Sequence, residues 1–301
     1  MTLASLRASG RDCTLIVVSK DLSRAVAVPD IAPTLQAALD DWAKLSPRLA
    51  TVAEALEAAK VSTINGVEVI ALNEEQLAAP LPRAYEFVDG SAYLPHVERV
   101  RRARGAEVPE SFYVDPLMYQ ATSAGFLGPR EDIRVSDVEY GIDLEAEVIV
   151  VTDDVPMAVS AQTAAQHIVL VGLVNDVSLR NLIPGELAKG FGFLQSKPRS
   201  ALSPVLVTPD ELGDHWRDNK LHLPMLTHVN GAWFGAPEAG VDMQFDFGQL
   251  IAHAARTRPL TAGTLVGSGT VANKDTSLGA SCFAERRTVE ALEHGAPLTP
   301  F

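Results

Sequence analysis

The segment between Gly141 and Val151 limits the possible folds more than any other part of the sequence. It runs Gly-Ile-Asp-Leu-Glu-Ala-Glu-Val-Ile-Val-Val, polar at first and then apolar and β-branched. This order predicts a strand with a buried second half and a first half that faces water or a ligand. Side chains alternate along a strand, so Asp143, Glu145 and Glu147 are expected on one face. Their like charges repel one another unless water or a hard cation lies beside them, and the segment alone leaves both interpretations open.

Composition narrows the class of protein and its partners. The chain has 25 basic and 38 acidic residues, a net charge of −13, which argues against nucleic acid or an anionic membrane surface as a partner. No apolar run approaches the roughly 18 residues of a membrane helix, and the first twelve residues lack the apolar centre of a signal peptide. The two cysteines, Cys13 and Cys282, exclude a disulfide framework and a zinc site built on cysteines. We therefore expect a cytoplasmic protein.

Residues 1–80 are predicted to form a small α+β domain. Asn65-Gly66 between two apolar segments is typical of a β-hairpin. Two further strands and two helices are expected from apolar periodicity, the second helix beginning after Pro47. Pro80 and Pro82 stiffen an extended linker, which we take as the domain boundary. The predicted strands are Thr14 to Ser19 and Ala25 to Val28, and the helical positions are Leu35, Leu39 and Trp42, then Leu49, Val52, Ala53 and Leu56.

Residues 81–301 are predicted to form a β-rich catalytic domain, because short strand segments are separated by turns and do not alternate regularly with helices. His167 to Val174 has the continuous apolar character of a buried strand, and Asn175-Asp176 follows it. A second hairpin is expected at Asn230-Gly231. The glycine-rich stretch Gly263 to Thr270 lacks the Gly-Lys-Ser/Thr ending of a phosphate-binding loop, so a nucleotide site is not favoured. The expected fold class is α+β, mostly β.

Acidic side chains in separate segments can be combined into one site. The acidic residues are Asp89, the pair Glu145 and Glu147, Asp176, and Glu285, and His96 is read together with Asp89. Oxygen ligands without cysteine select a hard divalent ion such as Mg²⁺, Ca²⁺ or Mn²⁺. Asp176 is the most informative member, because an ionised aspartate at the end of an apolar strand is costly unless it is paired. An Asx turn or a helix cap at Asn175-Asp176 is the alternative explanation for that residue.

Four motifs, in this order and spacing, resemble the fumarylacetoacetate hydrolase family. They are Asp143-Leu-Glu-Ala-Glu-Val-Ile-Val-Val, Val174-Asn-Asp-Val-Ser-Leu-Arg, Lys197 seven residues before Pro204, and Ser268-Gly-Thr. Asp89-Gly-Ser-Ala-Tyr-Leu-Pro-His96 is similar to the family's aspartate and catalytic histidine, and Pro116-Leu-Met-Tyr119 to its substrate-contacting tyrosine stretch. The resemblance extends from about Leu81 to Glu285. It implies a mixed β-roll or sandwich core behind the small N-terminal domain, and a homodimer.

The resemblance also implies a role for each site residue. The implied ligands of a divalent metal, Mg²⁺ or else Ca²⁺ or Mn²⁺, are Asp89, Glu145, Glu147 and Asp176. The implied catalytic residues are His96 as general base, Glu285 as the carboxylate that holds and polarises it, and Lys197 as a positive charge beside the metal. The implied contacts to substrate oxygens are Tyr119, Arg180 and Thr270.

These roles fit the hydrolysis of a carbon–carbon bond in a β-diketo acid. Water must attack one carbonyl group, and the leaving fragment must depart as a carbanion, which a chelating metal stabilises as an enolate. An imidazole titrates near about 6.5, so it can accept a proton from water at neutral pH. A lysine can stabilise the oxyanion of the tetrahedral intermediate. The expected substrate is fumarylacetoacetate, split into fumarate and acetoacetate in aromatic catabolism.

Other functions remain open at this point. Within the same fold the alternatives are an acylpyruvate hydrolase, an oxaloacetate decarboxylase, and a hydratase or isomerase of ring-cleavage products. In a different class, the carboxylates could hold a metal that only stabilises the β-rich core. The sequence departs from the animal enzyme at Ser91, where a tyrosine that contacts substrate is missing, and at Ile183, where a glutamine is missing. These departures bear on the identity of the substrate more than on the type of reaction.

The surroundings of His96 allow a simpler interpretation as well. It lies at the start of a basic helical segment with Arg99, Arg101, Arg102 and Arg104. Without the spacing from Asp89, it would be taken for a surface histidine at a helix start. The arginines are expected to form a solvated face, which could attract an acidic substrate.

Overall fold

The computed structural model describes residues 1–8, 10–58, 61–103, 105 and 107–301. The helices are α1 (Leu35–Leu39), α2 (Trp42–Ala58), α3 (Leu94–Ala103), α4 (Ala161–Ala164), α5 (Ile183–Leu187), α6 (Phe247–Ala254) and α7 (Phe283–His294). The strands of the N-terminal part are β1 (Thr2–Leu6), β2 (Thr14–Val18), β3 (Arg24–Ala27), β4 (Thr63–Ile64) and β5 (Val67–Ala71). The strands that follow are β6 (Phe87–Gly90), β7 (Met118–Gln120), β8 (Ile142–Asp143), β9 (Ala146–Thr152), β10 (Ile168–Asn175), β11 (Ser178–Leu179), β12 (Ala201–Leu202), β13 (Leu206–Val207), β14 (Trp216–Arg217), β15 (Lys220–Leu221), β16 (Thr227–Val229), β17 (Ala232–Gly235) and β18 (Leu265–Gly267).

Twelve of the strands form one mixed sheet. Its order is β4-β5-β3-β2-β1-β13-β10-β9-β18-β6-β7, and β12 pairs with β10 beside this path. All of the pairings are antiparallel except the one between β18 and β6. Strands from before and after residue 80 belong to this one sheet. Strand β1 joins them, because it pairs with β2 on one side and with β13 on the other.

The two largest apolar cores lie on opposite faces of the sheet, and a smaller third cluster lies along β1, β2 and β3. Along β9, Val148 and Val150 pack into one core together with α6, while Ile149 and Val151 pack into the other, which contains α1 and α2. This alternation is the two-residue period of a strand buried on both faces. The central strands therefore have fixed positions, and so do the side chains at their ends.

Most of the elements predicted from the sequence are present. The N-terminal strands and both hairpins, at Asn65-Gly66 and Asn230-Gly231, lie where they are predicted, and so does the buried strand β10. The mostly β, α+β class is confirmed. One helix boundary was wrong, because α2 begins at Trp42 and contains Pro47 within its first turns. No described helix is both long and apolar enough to cross a lipid bilayer.

The predicted single strand from Gly141 to Val151 was also wrong. It is divided into β8, which pairs with β11, and β9, which belongs to the large sheet. Asp143 is buried and does not face water; it accepts hydrogen bonds from the backbone N–H groups of Phe283 and Ala284, at 2.6 and 2.9 Å. A carboxylate at the first turn of a helix interacts favourably with the helix dipole. Asp143 therefore fixes the start of α7 and lies on a different strand from Glu147.

Candidate active site

Four adjacent strands bring the candidate ligands to one edge of the sheet. Strands β6 and β18 run parallel and end there, with Asp89 opposite Gly267. Strand β9 is antiparallel to β18 and begins at this edge, close to Glu147, and β10 runs back to the edge and is followed by Asp176. The topology therefore converts positions 89, 147 and 176, which are distant in sequence, into neighbours.

The carboxylates of Asp89, Glu147 and Asp176 converge, with ligand oxygens all within 4.8 Å of one another. All three side chains are at most 3% exposed. Neither oxygen of Glu147 has a hydrogen-bond donor among the described residues. Burial, followed by the charges of Asp89 and Asp176, raises the pKa of Glu147 well above its usual value. Burial and the charge of Asp176 likewise raise the pKa of Asp89 to about 7.

These three residues fit a divalent cation. A buried carboxylate without hydrogen-bond donors, such as that of Glu147, is unfavourable beside two other acidic side chains unless a positive charge lies among them. An all-oxygen ligand set favours a hard ion such as Mg²⁺, Ca²⁺ or Mn²⁺. Asp176 is not explained by the alternative of an Asx turn, because its oxygens accept hydrogen bonds from Ser200 and Lys197, both at 2.6 Å, and from the Tyr119 hydroxyl.

Because Gly267 has no side chain, it leaves space for the carboxylates of Asp89 and Glu147. A Cβ atom at that position would lie 2.1 Å from Asp89 Oδ1 and 3.2 Å from Glu147 Oε2. Gly267→Ala is therefore expected to weaken Mn²⁺ binding by about 10- to 100-fold, since displaced ligands bind metal poorly. Gly185→Ala is the matched control, because a Cβ there meets nothing within 4 Å. Calorimetric titration with Mn²⁺ measures both variants, and equal affinities would contradict the assignment of Gly267.

The metal-free protein should become less stable as the pH rises from about 4 to about 7. Over this range the unfolded chain releases the Asp89 proton, whose ordinary pKa is 3.8, while the folded chain retains it because its pKa is raised to about 7. The folded state then binds more protons than the unfolded state, so the free energy of unfolding falls with pH. Urea unfolding with a chelator at pH 5 and pH 7.5 measures this fall. An equal fall in Asp89→Asn would show that another group is responsible.

Glu145 lies beside this group and has different partners. Its carboxylate accepts hydrogen bonds from Ser178 and from Thr270, the latter at 2.6 Å. Arg180 Nη2 and Lys197 Nζ approach its Oε1 at 2.9 and 3.0 Å. Although burial opposes ionisation, the charges of Arg180 and Lys197 lower the pKa of Glu145 below its usual range. Its role as a metal ligand therefore stays a prediction, and the contacts observed are those of a counter-ion for two buried cations.

Lys197 connects the carboxylates to the cavity. Its ammonium group donates to Asp176 and Glu145 and lies 5.3 Å from the centre of the Tyr119 ring. Burial opposes its charge, but the charges of Asp176 and Glu145 raise its pKa above the usual value. An ammonium group has three N–H donors, so one remains after these two contacts. Lys197 is held as a charged donor in a buried position.

The predicted substrate contacts lie around the same space. Arg180 Nε donates to Asp143 at 2.7 Å, in addition to its ion pair with Glu145. Burial raises the pKa of the Tyr119 hydroxyl well above its usual value, so the hydroxyl remains a donor. Tyr119 packs edge-on against Phe193, with ring centres 4.9 Å apart. Phe193 was not predicted, and the sequence around it, Gly190-Phe-Gly-Phe, gave no pattern that would identify it.

His96 and Glu285 come together from two different helices, α3 and α7. His96 Nδ1 lies 3.6 Å from Glu285 Oε2, which is longer than a hydrogen bond, and neither atom has another partner among the described residues. Glu285 is 1% exposed and lies in the first turn of α7. Because Nδ1 faces Glu285, Nε2 is the nitrogen available to accept a proton. The predicted pairing of these residues stays a prediction in its catalytic role, and the geometry permits it.

Arg99 is the most important residue that the sequence analysis misjudged. It was expected on a solvated face, but its side chain is only 13% exposed and pairs with Glu285 Oε1. Its Nη2 also donates to the backbone carbonyls of Asn273 and Lys274. Arg101 lies over the Phe112 ring at 5.1 Å, and Arg104 is outside the described residues. The spacing could have revealed Arg99. Residues three apart on a helix lie on one face, so Arg99 lies on the same face as His96.

Arg99 is expected to position Glu285 toward His96. Arg99→Met removes the charge but keeps much of the stem, and it should lower kcat by roughly 10- to 100-fold with little change in metal affinity, as expected for a small displacement of a catalytic group. Arg99→Lys should restore part of the rate. In a Glu285→Gln background, Arg99→Met should have no further effect on kcat. Independent, additive losses would mean that Arg99 acts elsewhere.

A cavity of about 140 Å³ is lined by several of the candidate site residues. Its lining includes His96, Lys197 and Asp89. Ser91 and Ile183, the two positions that depart from the animal enzyme, also line it. The remaining lining residues are Gly90, Tyr93, Val97, Tyr119, Glu145, Arg180, Phe193, Gly269 and Thr270. His96, Lys197 and Asp89, one of the three clustered carboxylates, therefore open on one small space.

Two family models match the chain. The model described as fumarylacetoacetate (FAA) hydrolase C-terminal matches residues 86–298, and the model described as fumarylacetoacetase N-terminal domain 2 matches residues 1–83. The first of them alone spans more than half of the chain.

Curated relatives are distant. Oxaloacetate tautomerase YisK of Bacillus subtilis is 25% identical over 209 residues, which is 68% of this chain and 65% of that protein. An uncharacterized protein of Archaeoglobus fulgidus is 25% identical over 183 residues, 61% of this chain and 66% of that protein. The match covers slightly less than two thirds of the length of each relative.

Solved structures share the fold. Maleylpyruvate hydrolase from Sphingobium sp. SYK-6, in complex with manganese (II) ion and pyruvate, has a TM-score of 0.64 and 16% identity over 94% of this chain and 90% of that one. Fumarylacetoacetate hydrolase from Exiguobacterium antarcticum has a TM-score of 0.64 and 17% identity, over 90% of this chain and 86% of that one. 5-Carboxymethyl-2-hydroxymuconate delta-isomerase from Mycobacterium smegmatis has a TM-score of 0.57 and 18% identity, over 90% of this chain and 87% of that one. At these identities the likeness concerns the fold alone.

Proposed function

The chain belongs to the fumarylacetoacetate hydrolase family, and we propose that it hydrolyses a carbon–carbon bond in a small β-diketo acid with the help of a divalent metal. One observation carries this proposal. The buried carboxylates of Asp89, Glu147 and Asp176 converge, and Asp89 lines the same cavity as His96 and Lys197. Fumarylacetoacetate is the substrate to test first, and an acylpyruvate is the nearest alternative of the same chemistry.

His96 is the proposed general base. Its Nε2 accepts a proton from water, which then attacks a carbonyl carbon of the substrate. The imidazolium that results is stabilised by the buried carboxylate of Glu285, 3.6 Å away. Arg99 fixes the opposite oxygen of that carboxylate, so the charge remains directed at His96. The base is thus oriented before substrate enters.

Lys197 is the proposed stabiliser of negative charge. Its remaining N–H can donate to the oxyanion of the tetrahedral intermediate, and it requires no reorganisation because two carboxylates already hold it. Cleavage of the carbon–carbon bond then leaves the electron pair on the departing fragment as an enolate. A proton returned to that fragment completes the two acid products.

Asp89, Glu147 and Asp176 would hold the divalent ion, with Glu145 as the further ligand that the resemblance implies. When bound, the ion would supply positive charge against the developing enolate. The solved maleylpyruvate hydrolase contains manganese, which supports a divalent ion here too. Mg²⁺ and Mn²⁺ are the first ions to test.

The cavity supports a small substrate. Its volume is about 140 Å³, and Val97, Ile183 and Phe193 give it an apolar side. Arg180 and Lys197 are each paired with two carboxylates, so both buried cations of the lining are already neutralised. A short diketo acid with one or two carboxylates fits this space better than a larger substrate with more charged groups. No nucleic acid or membrane is proposed as a partner, and a homodimer is proposed from the resemblance.

Keto–enol tautomerisation is the second candidate. The relative named oxaloacetate tautomerase supports it. The reaction needs a base that moves a proton between carbon and oxygen beside a charge that stabilises the enolate, and His96 and Lys197 could provide both. It differs from hydrolysis because no water is consumed and no carbon–carbon bond is broken.

Product analysis separates the two functions. Purified protein is incubated with fumarylacetoacetate, an acylpyruvate and oxaloacetate in turn, with Mg²⁺ or Mn²⁺ and with a chelator, and the products are identified by NMR. Metal-dependent formation of two carboxylic acids supports the hydrolase. Faster interconversion of keto and enol oxaloacetate alone supports the tautomerase. If metal is bound and all three compounds remain unchanged, both proposals fail.

A further inference from the structure

A second cluster of potential metal ligands lies at the general base. His96, Cys282 and Glu285 offer ligand atoms all within 4.8 Å of one another. None of them belongs to the cluster of Asp89, Glu147 and Asp176. Cys282 and Glu285 are almost completely buried, and His96 lines the cavity. We propose that these three residues form a regulatory Zn²⁺ site whose occupation blocks the base.

The separation of the ligand atoms supports this site. His96 Nδ1 and Glu285 Oε2 are 3.6 Å apart, too far for a hydrogen bond. Two ligands about 2.1 Å from one tetrahedral ion lie about 3.4 Å apart. Both atoms are buried and lack other partners among the described residues. A small inward movement would therefore place both of them on one zinc ion.

The third ligand is already aligned by the helix. The Cys282 sulfur accepts a hydrogen bond from the Glu285 backbone N–H at 3.3 Å, because Cys282 is the N-cap of α7. Zinc binding would replace the thiol proton with a Zn–S bond and release that proton.

The chemistry of the ligands distinguishes this site from the carboxylate group. Nitrogen and sulfur ligands select Zn²⁺ over Mg²⁺ and Ca²⁺, whereas the all-oxygen group favours the hard ions. A zinc ion on His96 Nδ1 would leave the ring proton on Nε2, so the nitrogen proposed as the base could no longer accept a proton from water. Zinc should then inhibit an enzyme that remains loaded with Mg²⁺. This inhibition, unlike the binding, rests on the proposed function.

Cobalt provides a readout that does not depend on activity. Co²⁺ bound to a thiolate has a charge-transfer absorption that an all-oxygen site cannot produce. We expect this band in the wild-type protein and in Cys13→Ser, the matched control for the other cysteine. It should disappear in Cys282→Ser, where serine can still cap α7. No band in the wild-type protein, a band that persists in Cys282→Ser, or one that is lost in Cys13→Ser would overturn the site.

Inhibition is then measured on whichever substrate the protein converts, with Mg²⁺ in excess. Relative to its own zinc-free rate, Cys282→Ser should require about 10- to 100-fold more Zn²⁺ for half inhibition, the scale of affinity lost at a damaged metal site. Cys13→Ser should match the wild type. Equal inhibition of all three proteins would overturn the regulatory role. If no substrate is converted, the proposed function fails while the cobalt band still decides the metal site.

Discussion

Glu147→Gln is expected to abolish metal binding while the protein remains folded. Glu147 lies at the centre of the buried carboxylates, and both of its oxygens lack a donor, so they are free to bind an ion. The amide removes one charge and one strong ligand, and Mn²⁺ affinity should fall at least about 100-fold. The metal-free variant should be more stable than the metal-free wild type, because the repulsion with Asp89 and Asp176 is reduced.

Thermal unfolding with and without Mn²⁺ measures both effects. At a concentration about 100 times Kd, the ion should stabilise the wild type by about 2.7 kcal/mol, and Glu147→Gln by much less. Glu139→Gln is a suitable control, because Glu139 is exposed and lies outside the carboxylate group. Undiminished stabilisation of Glu147→Gln by Mn²⁺ would remove Glu147 from the metal site.

His96→Gln is expected to lower kcat by about 10²- to 10⁴-fold, the usual contribution of a positioned general base. The metal affinity and the unfolding temperature should change little, because His96 lies at the cavity wall and its Nδ1 has no hydrogen-bond partner among the described residues. A loss of rate without a loss of metal would show that His96 takes part in the reaction itself.

His228→Gln is the matched control for this experiment, since His228 is exposed on β16. It should keep the wild-type rate. A protein in which the carboxylates merely bound a structural metal would show no difference between the two variants. Full activity in His96→Gln would therefore exclude His96 as the base.

The sequence predicted the separate parts of the site better than their arrangement. The acidic residues and His96 were all singled out, because their residue types suggest a metal site and the family resemblance implies a role for each. The division of the strand at residues 144 and 145 could not be predicted, because it depends on the contact between Asp143 and the start of α7, which are 140 residues apart.

Long-range pairing explains the other omissions. Strand β1 has an ordinary short apolar sequence, and only its pairing with β13, as between Thr2 and Val207, shows that it joins the two parts of the sheet. Arg99 was misjudged because its partner, Glu285, is 186 residues away. Gly267 is required by the side chains on two neighbouring strands and by no local turn. Local patterns identify elements, whereas packing decides which charges are buried.

Anomalous diffraction from a crystal of chelator-treated protein soaked in Mn²⁺ tests the central claim most directly. The account predicts one strong peak among the carboxylates of Asp89, Glu147 and Asp176, beside the cavity that His96 lines. The peak should be absent from crystals of Glu147→Gln treated in the same way. A wild-type crystal without a peak at these carboxylates, or with its only peak elsewhere, would contradict the account.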